Sequence, residues 1–292
     1  MLTPRARAWR DSGRLIEVEG RRIFVREREG GGLPLFFLHG YPSSSFDWSR
    51  LLEQLPGRRA VCFDFLGFGL SDKPRDHAYS LHAQADLAIE IARRTVGDKC
   101  VLVAHDMGTS VATELLARDL EGRLRLQLES VLVLNGSMIL ERASLTLAQK
   151  ILRGRLGPLL ARISNATLFH AQFARVFSRE HPLTRDEADD HWSLLEHQRG
   201  HRIIDKLTFY LHERMRFAAR WHGALRDWPG RLELAWAMRD PVCTQAVLDA
   251  VLALRPSAPL TRFPDLGHYP QVEDPAAIAE VIERLTTPLR SS

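Results

Sequence analysis

Six short apolar runs punctuate this chain: LFFL (35–38), AVCFDF (60–65), CVLVAH (100–105), VLVLN (131–135), ELAWAM (233–238) and PLTRF (259–263). Each is strand-length and nearly unbroken by polar residues, so both of its faces must be covered. Stretches with helical spacing separate most of them, at 47–55, 80–96, 108–120, 244–254 and 275–286. In the last, Ile278, Val281, Ile282 and Leu285 fall on one helix face. Strand–helix alternation of this kind leaves few architectures open. It predicts an α/β fold, a mostly parallel sheet with helices on both sides. Ahead of it, RLIEVEG (14–20) and RRIFVRE (21–27) read as a β-hairpin turning at Gly20, which brings the expected sheet to eight strands.

The rhythm fails once. From Gly136 to about Pro229 there is no strand signal, only helix-like stretches such as ASLTLAQKILR, ATLFHAQFARVF and DEADDHWSLLEH. Ligands of open α/β sheets sit beyond the carboxyl ends of the strands. A helical insertion leaving from such an end would cover that site. The expected organisation is therefore a core made of 1–135 and 230–292, with 136–229 as a helical lid.

Bulk properties narrow the function classes. The chain has 292 residues, 45 % of them hydrophobic, enough for a sizeable core. No apolar run is long enough to span a membrane, and MLTPRARAWRDSG lacks the apolar segment of a secretory signal. Cys62, Cys100 and Cys243 are scattered and show no metal-ligand spacing, which suits a reducing cytoplasm. His197 and His201 stand four apart, but without the glutamate of H-E-x-x-H, and Gly200 weakens a helix there. No metal and no cofactor is expected. The formal charge of +4 is spread along the chain without a nucleic-acid motif, so neither nucleic acid nor membrane is an expected partner. A homodimer is compatible with the sequence.

The chemistry centres on LVAHDMGTS (102–110). A nucleophile elbow is a tight strand-to-helix turn, usually G-x-S-x-G. Here Ala104 replaces the first glycine and Asp106 replaces the serine. Alone, an aspartate before a helix is an N-cap. Two further pieces favour chemistry. ELAWAM delivers Asp240 at its end, and DLGHYPQVEDP places His268 after the last strand. The order Asp106, Asp240, His268 is that of nucleophile, acid and base in α/β-hydrolases. LFFLHGYP then ends a strand at His39, Gly40, Tyr41 and Pro42, and the backbone N–H groups of Tyr41 and Met107 become the expected oxyanion hole.

These residues resemble the α/β-hydrolase superfamily over nearly the whole chain. More narrowly, HGYP, FDFLGFGLSDKP and GHYPQVEDP resemble its aspartate-nucleophile branch, the epoxide hydrolases and haloalkane dehalogenases; RWHGAL and FDFLGFG also resemble the mesoderm-specific transcript proteins. An epoxide hydrolase of this type implies tyrosine hydroxyls from the lid. Tyr210, in KLTFYLHER, matches the end-of-lid position, with Thr208 and Phe209 departing from the family pattern. The second tyrosine position is not evident. Phe169, Phe173 and Phe177 occupy that region, with His170 and Gln172 as polar substitutes. His39, Gly40, Pro42, Phe169 and Phe173 are expected to contact substrate.

Why a carboxylate? A hydroxyl attacking saturated carbon yields an ether, which an oxyanion hole cannot help cleave. A carboxylate yields an ester, which base-activated water can open. Asp106 thus implies displacement at an sp3 carbon, with His268 as general base and Asp240 orienting it. A leaving halide needs side-chain N–H donors beside the nucleophile, and Met107 and Tyr41 supply none. A leaving epoxide oxygen needs a proton, which Tyr210 could give. The expected substrate is therefore a small apolar epoxide, with water as co-substrate; the alternatives are a haloalkane dehalogenase-type hydrolase and a non-catalytic binding protein on the same fold. The Arg-rich stretch HERMRFAARW (212–221) reads as a solvated face with buried stems.

Overall fold

The computed structural model describes residues 1–286. A single eight-stranded sheet runs in the order β1-β2-β4-β3-β5-β6-β7-β8. Strands β1 (Arg14–Val18) and β2 (Arg21–Arg28) form the predicted hairpin; Glu19 and Gly20, both at positive φ, turn it. Strand β2 runs antiparallel to β4 (Arg58–Phe63). From there β3 (Gly31–Leu38), β5 (Lys99–His105), β6 (Gln127–Leu134), β7 (Arg231–Ala237) and β8 (Leu260–Phe263) pair in parallel. The order of the strands reverses between β3 and β5, and ligands of open α/β sheets sit beyond the carboxyl ends of the strands at such a switch point.

The unbroken apolar strands are covered on both faces, as their sequence requires. On one side, α3 (Leu81–Thr95), α4 (Met107–Leu120) and α12 (Gln245–Leu254) bury Ala85, Ile91, Val111, Leu115 and Val247 against the sheet. On the other, α2 (Ser49–Glu53) and α14 (Pro275–Thr286) bury Leu51, Leu52, Ile278, Val281 and Ile282. Fully burying each such side chain contributes about 1.5–3 kcal/mol.

The sequence reading missed one element. Helix α1 (Pro4–Asp11) begins with Thr3 as N-cap and Pro4 at its first position, a standard start signal, but it is mostly charged. It docks through Trp9 onto the second face and through Thr3 and Arg5 onto α8 (Arg185–Glu196). Thr3 Oγ1 donates to Asp190 Oδ1 at 2.5 Å and Arg5 Nε lies 2.6 Å from Asp190 Oδ2.

Between β6 and β7 the chain forms helices and no strand. Besides α8 these include α5 (Leu147–Leu152), α6 (Gly157–Ile163), α7 (Ala166–Phe173), α9 (Ile204–Leu207), α10 (Tyr210–Arg216) and α11 (Ala218–Asp227). No helix among the described residues is long and apolar enough to cross a membrane.

Candidate active site

Strand β5 ends at His105 and α4 begins at Met107, so Asp106 alone makes the reversal. Its backbone sits at φ 44°, ψ −109°. For a residue with a Cβ this conformation costs roughly 1–3 kcal/mol and persists only where the surroundings enforce it. They do. The Asp106 carbonyl accepts from Thr109 N at 3.1 Å, Thr109 Oγ1 at 2.6 Å and Arg214 Nη2 at 3.1 Å. Small residues are needed around such a turn. A Cβ on Gly40 would lie 2.9 Å from both Asp106 Cβ and His105 Nδ1.

The carboxylate does not cap α4, as it would if Asp106 were only an N-cap. Instead Oδ2 accepts the Tyr41 N–H at 2.9 Å, while buried Oδ1 has no hydrogen-bond partner. The Met107 N–H, in the first turn of α4, belongs to the amides that a helix leaves without an internal acceptor. The turn thus presents one oxygen held by an amide and one bare.

Asp240 follows β7 and His268 follows β8; the loops bring their side chains together, with Nδ1 of His268 2.7 Å from Asp240 Oδ2. Asp240 Oδ1 accepts the Val242 and Cys243 amides at 2.7 and 2.9 Å, and Asn135 Nδ2 donates to Oδ2 at 2.8 Å. Burial alone would raise this carboxyl, but the His268 charge and these hydrogen bonds outweigh it and hold it below the ordinary carboxylate range. For His268, burial pushes downward, yet Asp240 and then Asp106 lift the imidazole to about 9. Since Nδ1 is spent on Asp240, Nε2 is the nitrogen left for proton transfer. Asn135, which cannot carry charge itself, serves the acid by orienting it, and its Oδ1 accepts from Ala237 N at 2.8 Å.

Tyr210, at the start of α10, is 1 % exposed; its ring centre lies 5.6 Å from that of Tyr41, and its hydroxyl accepts from Gln149 Nε2 at 3.5 Å. Burial, reinforced by the Asp106 charge, pushes the phenol far above its ordinary range. Its resting form is therefore the protonated phenol.

A cavity of about 150 Å³ lies between the strand ends and the inserted helices, the size that admits a benzene-sized guest. Its wall is largely apolar: Pro42, Leu152, Leu160, Leu168, Phe169, Phe173, Val176 and Ile204. Tyr41, His268, Tyr269, Gln149 and Gln172 bring polar groups to it. Asp106 and Tyr210 are not among the lining residues, but Tyr41, whose amide holds Asp106, is.

Two expectations about contact residues need correcting. His39 and Gly40 do not line the cavity. His39 is fully buried, its Nδ1 2.8 Å from Gly40 O and its Nε2 accepting Phe65 N–H at 3.0 Å, so it braces two loops. Gly40 is required for close approach to Asp106, not for contact with a ligand. Of the polar substitutes near the missing tyrosine, Gln172 lines the cavity, whereas His170 turns to Asp189 at 3.3 Å. The Arg-rich stretch, expected to be a solvated face with buried stems, also buries one entire guanidinium: Arg214 lies against the elbow. Nothing in its sequence spacing separates it from its exposed neighbours.

One group of metal-capable donors occurs among the described residues, Asp240, Cys243 and His268, within 4.8 Å of one another. These atoms already bond each other or the backbone: Cys243 Sγ donates to Asn135 O at 3.1 Å. The set behaves as an acid–base pair with a thiol beside it.

A doubly wound sheet carrying Asp106 on a strained turn after β5, Asp240 after β7 and His268 after β8 is the frame of an α/β hydrolase. The chain belongs to the alpha/beta hydrolase family, whose profile matches residues 35–281, and it is a hydrolase of that fold. It is 51 % identical over 280 residues to “Putative hydrolase LipZ” of Mycobacterium tuberculosis, covering 96 % of this chain and 97 % of that protein. It is 35 % identical over 287 residues to the mesoderm-specific transcript protein of Mus musculus, covering 94 % and 85 %. A shorter match, 35 % identical over 114 residues, links 37 % of the chain to 38 % of a haloalkane dehalogenase of Sphingobium indicum.

Proposed function

We propose that this hydrolase opens a small apolar epoxide to a diol through a covalent ester on Asp106, with the 136–229 insertion as its lid. The observation that carries the reading is the asymmetry of the Asp106 carboxylate: Oδ2 is held by the Tyr41 amide, and Oδ1 is unpartnered. An oxygen free of hydrogen bonds is the better nucleophile. The tethered one becomes the ester carbonyl oxygen, already in its oxyanion hole.

In the first step Oδ1 attacks an epoxide carbon and the ring oxygen takes a proton from Tyr210, which is restored by the proton that cationic His268 gives up once the ester has formed. In the second, water adds to Cγ of the ester while His268 Nε2 takes its proton. Free His268 is held as a cation by two carboxylates. Esterification removes the Asp106 charge and lowers the affinity of the imidazole for its proton. The base is thereby released at the stage that needs it. The 150 Å³ apolar cavity suits a compact substrate such as an aryl or short alkyl epoxide.

The dehalogenase reading keeps two supports. Gln149 and Gln172 bring side-chain N–H groups to the cavity, and the dehalogenase match covers part of the chain. Purified protein given styrene oxide and a bromoalkane in parallel separates the two. Diol from the first supports an epoxide hydrolase; bromide release without diol selects a dehalogenase. Under either, Asp106→Ala is inactive and His268→Gln accumulates an adduct visible by intact mass. Turnover that leaves no adduct in His268→Gln refutes the aspartate ester.

A further inference from the structure

Arg214 has no part in the reaction just described, yet its placement is hard to reconcile with a structural role alone. It belongs to α10 of the inserted segment and is 1 % exposed. Its Nε donates to Ser110 Oγ at 2.7 Å, Nη1 bonds Ser137 Oγ, and Nη2 donates to the Asp106 carbonyl at 3.1 Å. The guanidinium carbon stands 4.6 Å from the Tyr210 ring centre. All these partners are neutral. Its one ion-pair partner among the described residues is Asp106 itself, with Nη2 3.9 Å from Oδ1. A buried cation without a counter-charge is costly, so the guanidinium and the carboxylate balance each other.

We propose that Arg214 is a positioning and charge-balancing residue that drives cleavage of the Asp106 ester. The inference rests on the aspartate-ester reading above. In the first step Oδ1 bonds to carbon, the Asp106 charge disappears, and the guanidinium is left unbalanced. In the second step water adds to Cγ, its proton passes to His268 Nε2, and negative charge returns to the carboxyl group. The Cγ–Oδ1 bond then breaks. Oδ1 departs with the product as an alkoxide, takes the proton from His268, and the oxygen of water stays behind in the regenerated carboxylate. Charge is lost near Arg214 in the first step and rebuilt near it in the second, as the oxygen of water takes the place that Oδ1 leaves beside the guanidinium. A fixed cation there disfavours the resting ester and favours its breakdown. Its bond to the Asp106 carbonyl also ties the elbow to the inserted helices.

The test compares wild type, Arg214→Gln and Arg214→Lys in single turnover with styrene oxide and with a bromoalkane, following ester formation and decay by quenched intact mass. In Arg214→Gln, ester decay is expected to slow by on the order of tenfold or more, with formation changed far less, so that the adduct accumulates. Arg214→Lys, which keeps the charge, should recover part of the decay rate. Should Arg214→Gln fail to fold, the double variant Ser110→Ala with Ser137→Ala loosens the guanidinium while keeping it, and should slow decay in the same direction. Equal loss in both steps, or a lysine variant no better than glutamine, overturns the inference and leaves the ester reading standing. If His268→Gln forms no adduct with either probe, the ester reading fails and takes this inference with it.

Discussion

Gly40→Ala is the sharpest perturbation of the site, because the three atoms nearest the added one all belong to the site. The new Cβ would lie 2.9 Å from Asp106 Cβ, 2.9 Å from His105 Nδ1 and 3.2 Å from Asp106 Oδ2. Ordinary contact starts near 3.4 Å, so the first two distances must each open by 0.5 Å (3.4 − 2.9). His105 cannot retreat, since its Nε2 is bonded to the His268 carbonyl at 2.7 Å. Asp106 is held by Thr109 and Arg214. The displacement therefore falls on the loop carrying the Tyr41 amide. A 2.9 Å bond to Oδ2 lengthened by that amount passes beyond the usual N–H···O range of about 2.7–3.2 Å and is weakened, so full loss of the donor sets the upper bound of the effect. Removing one oxyanion donor costs about 100- to 1,000-fold in rate. The strain itself should destabilise the fold by about 1–3 kcal/mol, which for a chain of this size lowers the melting temperature by only a few degrees. The assay is diol release from styrene oxide beside a thermal melt, with Gly97→Ala as a control. Gly97, at φ +87° with nothing near its would-be Cβ, strains the backbone far from the site. Gly40→Ala that retains activity within about threefold of wild type would refute the argument that Tyr41 N–H must touch Asp106.

Two further predictions follow from the same geometry. Because the folded state lifts His268 from 6.5 to about 9, its contribution to stability is full below pH 6.5 and is lost as pH rises through 9. The difference in denaturant-unfolding free energy between wild type and His268→Gln should therefore shrink over that window by up to about 3 kcal/mol; a flat difference would show that Asp240 and Asp106 do not hold the imidazolium. Tyr210→Phe should cut epoxide opening by roughly 100-fold or more, the scale of a lost general acid, while leaving bromide release from a bromoalkane nearly unchanged. Equal retention of both activities would remove Tyr210 from the chemistry.

Much of this was legible in the sequence because it depends on local rules. The apolar runs 100–105 and 131–135 carry their burial in their composition, and the elbow announces itself as a strand, one acid and a helix. Asp240 and His268 were readable because the fold fixes where strand ends meet. What escaped was decided by long-range packing. Arg214 shares its stretch with Arg216 and Arg220, and only the docking of α10 on the elbow determines which of them turns inward. His39 looked like a ligand contact from its motif, yet the Phe65 amide claims its free nitrogen. Helix α1 was overlooked because its stability comes from Trp9 and from Asp190 across the molecule, not from an apolar stripe of its own.

The Asp190 attachment reaches the cavity wall through α8, whose His191 and Trp192 rings lie 5.0 and 5.6 Å from those of Phe173 and Phe169. Thr3 and Arg5 both grip Asp190, so any outward swing of α8 must either carry the first helix along or break those bonds. A bulky group fused ahead of Thr3 would therefore load Asp190, and through His191 and Trp192 the Phe173 and Phe169 rings that line the cavity, while Asp106, Asp240 and His268 lie outside that chain of contacts.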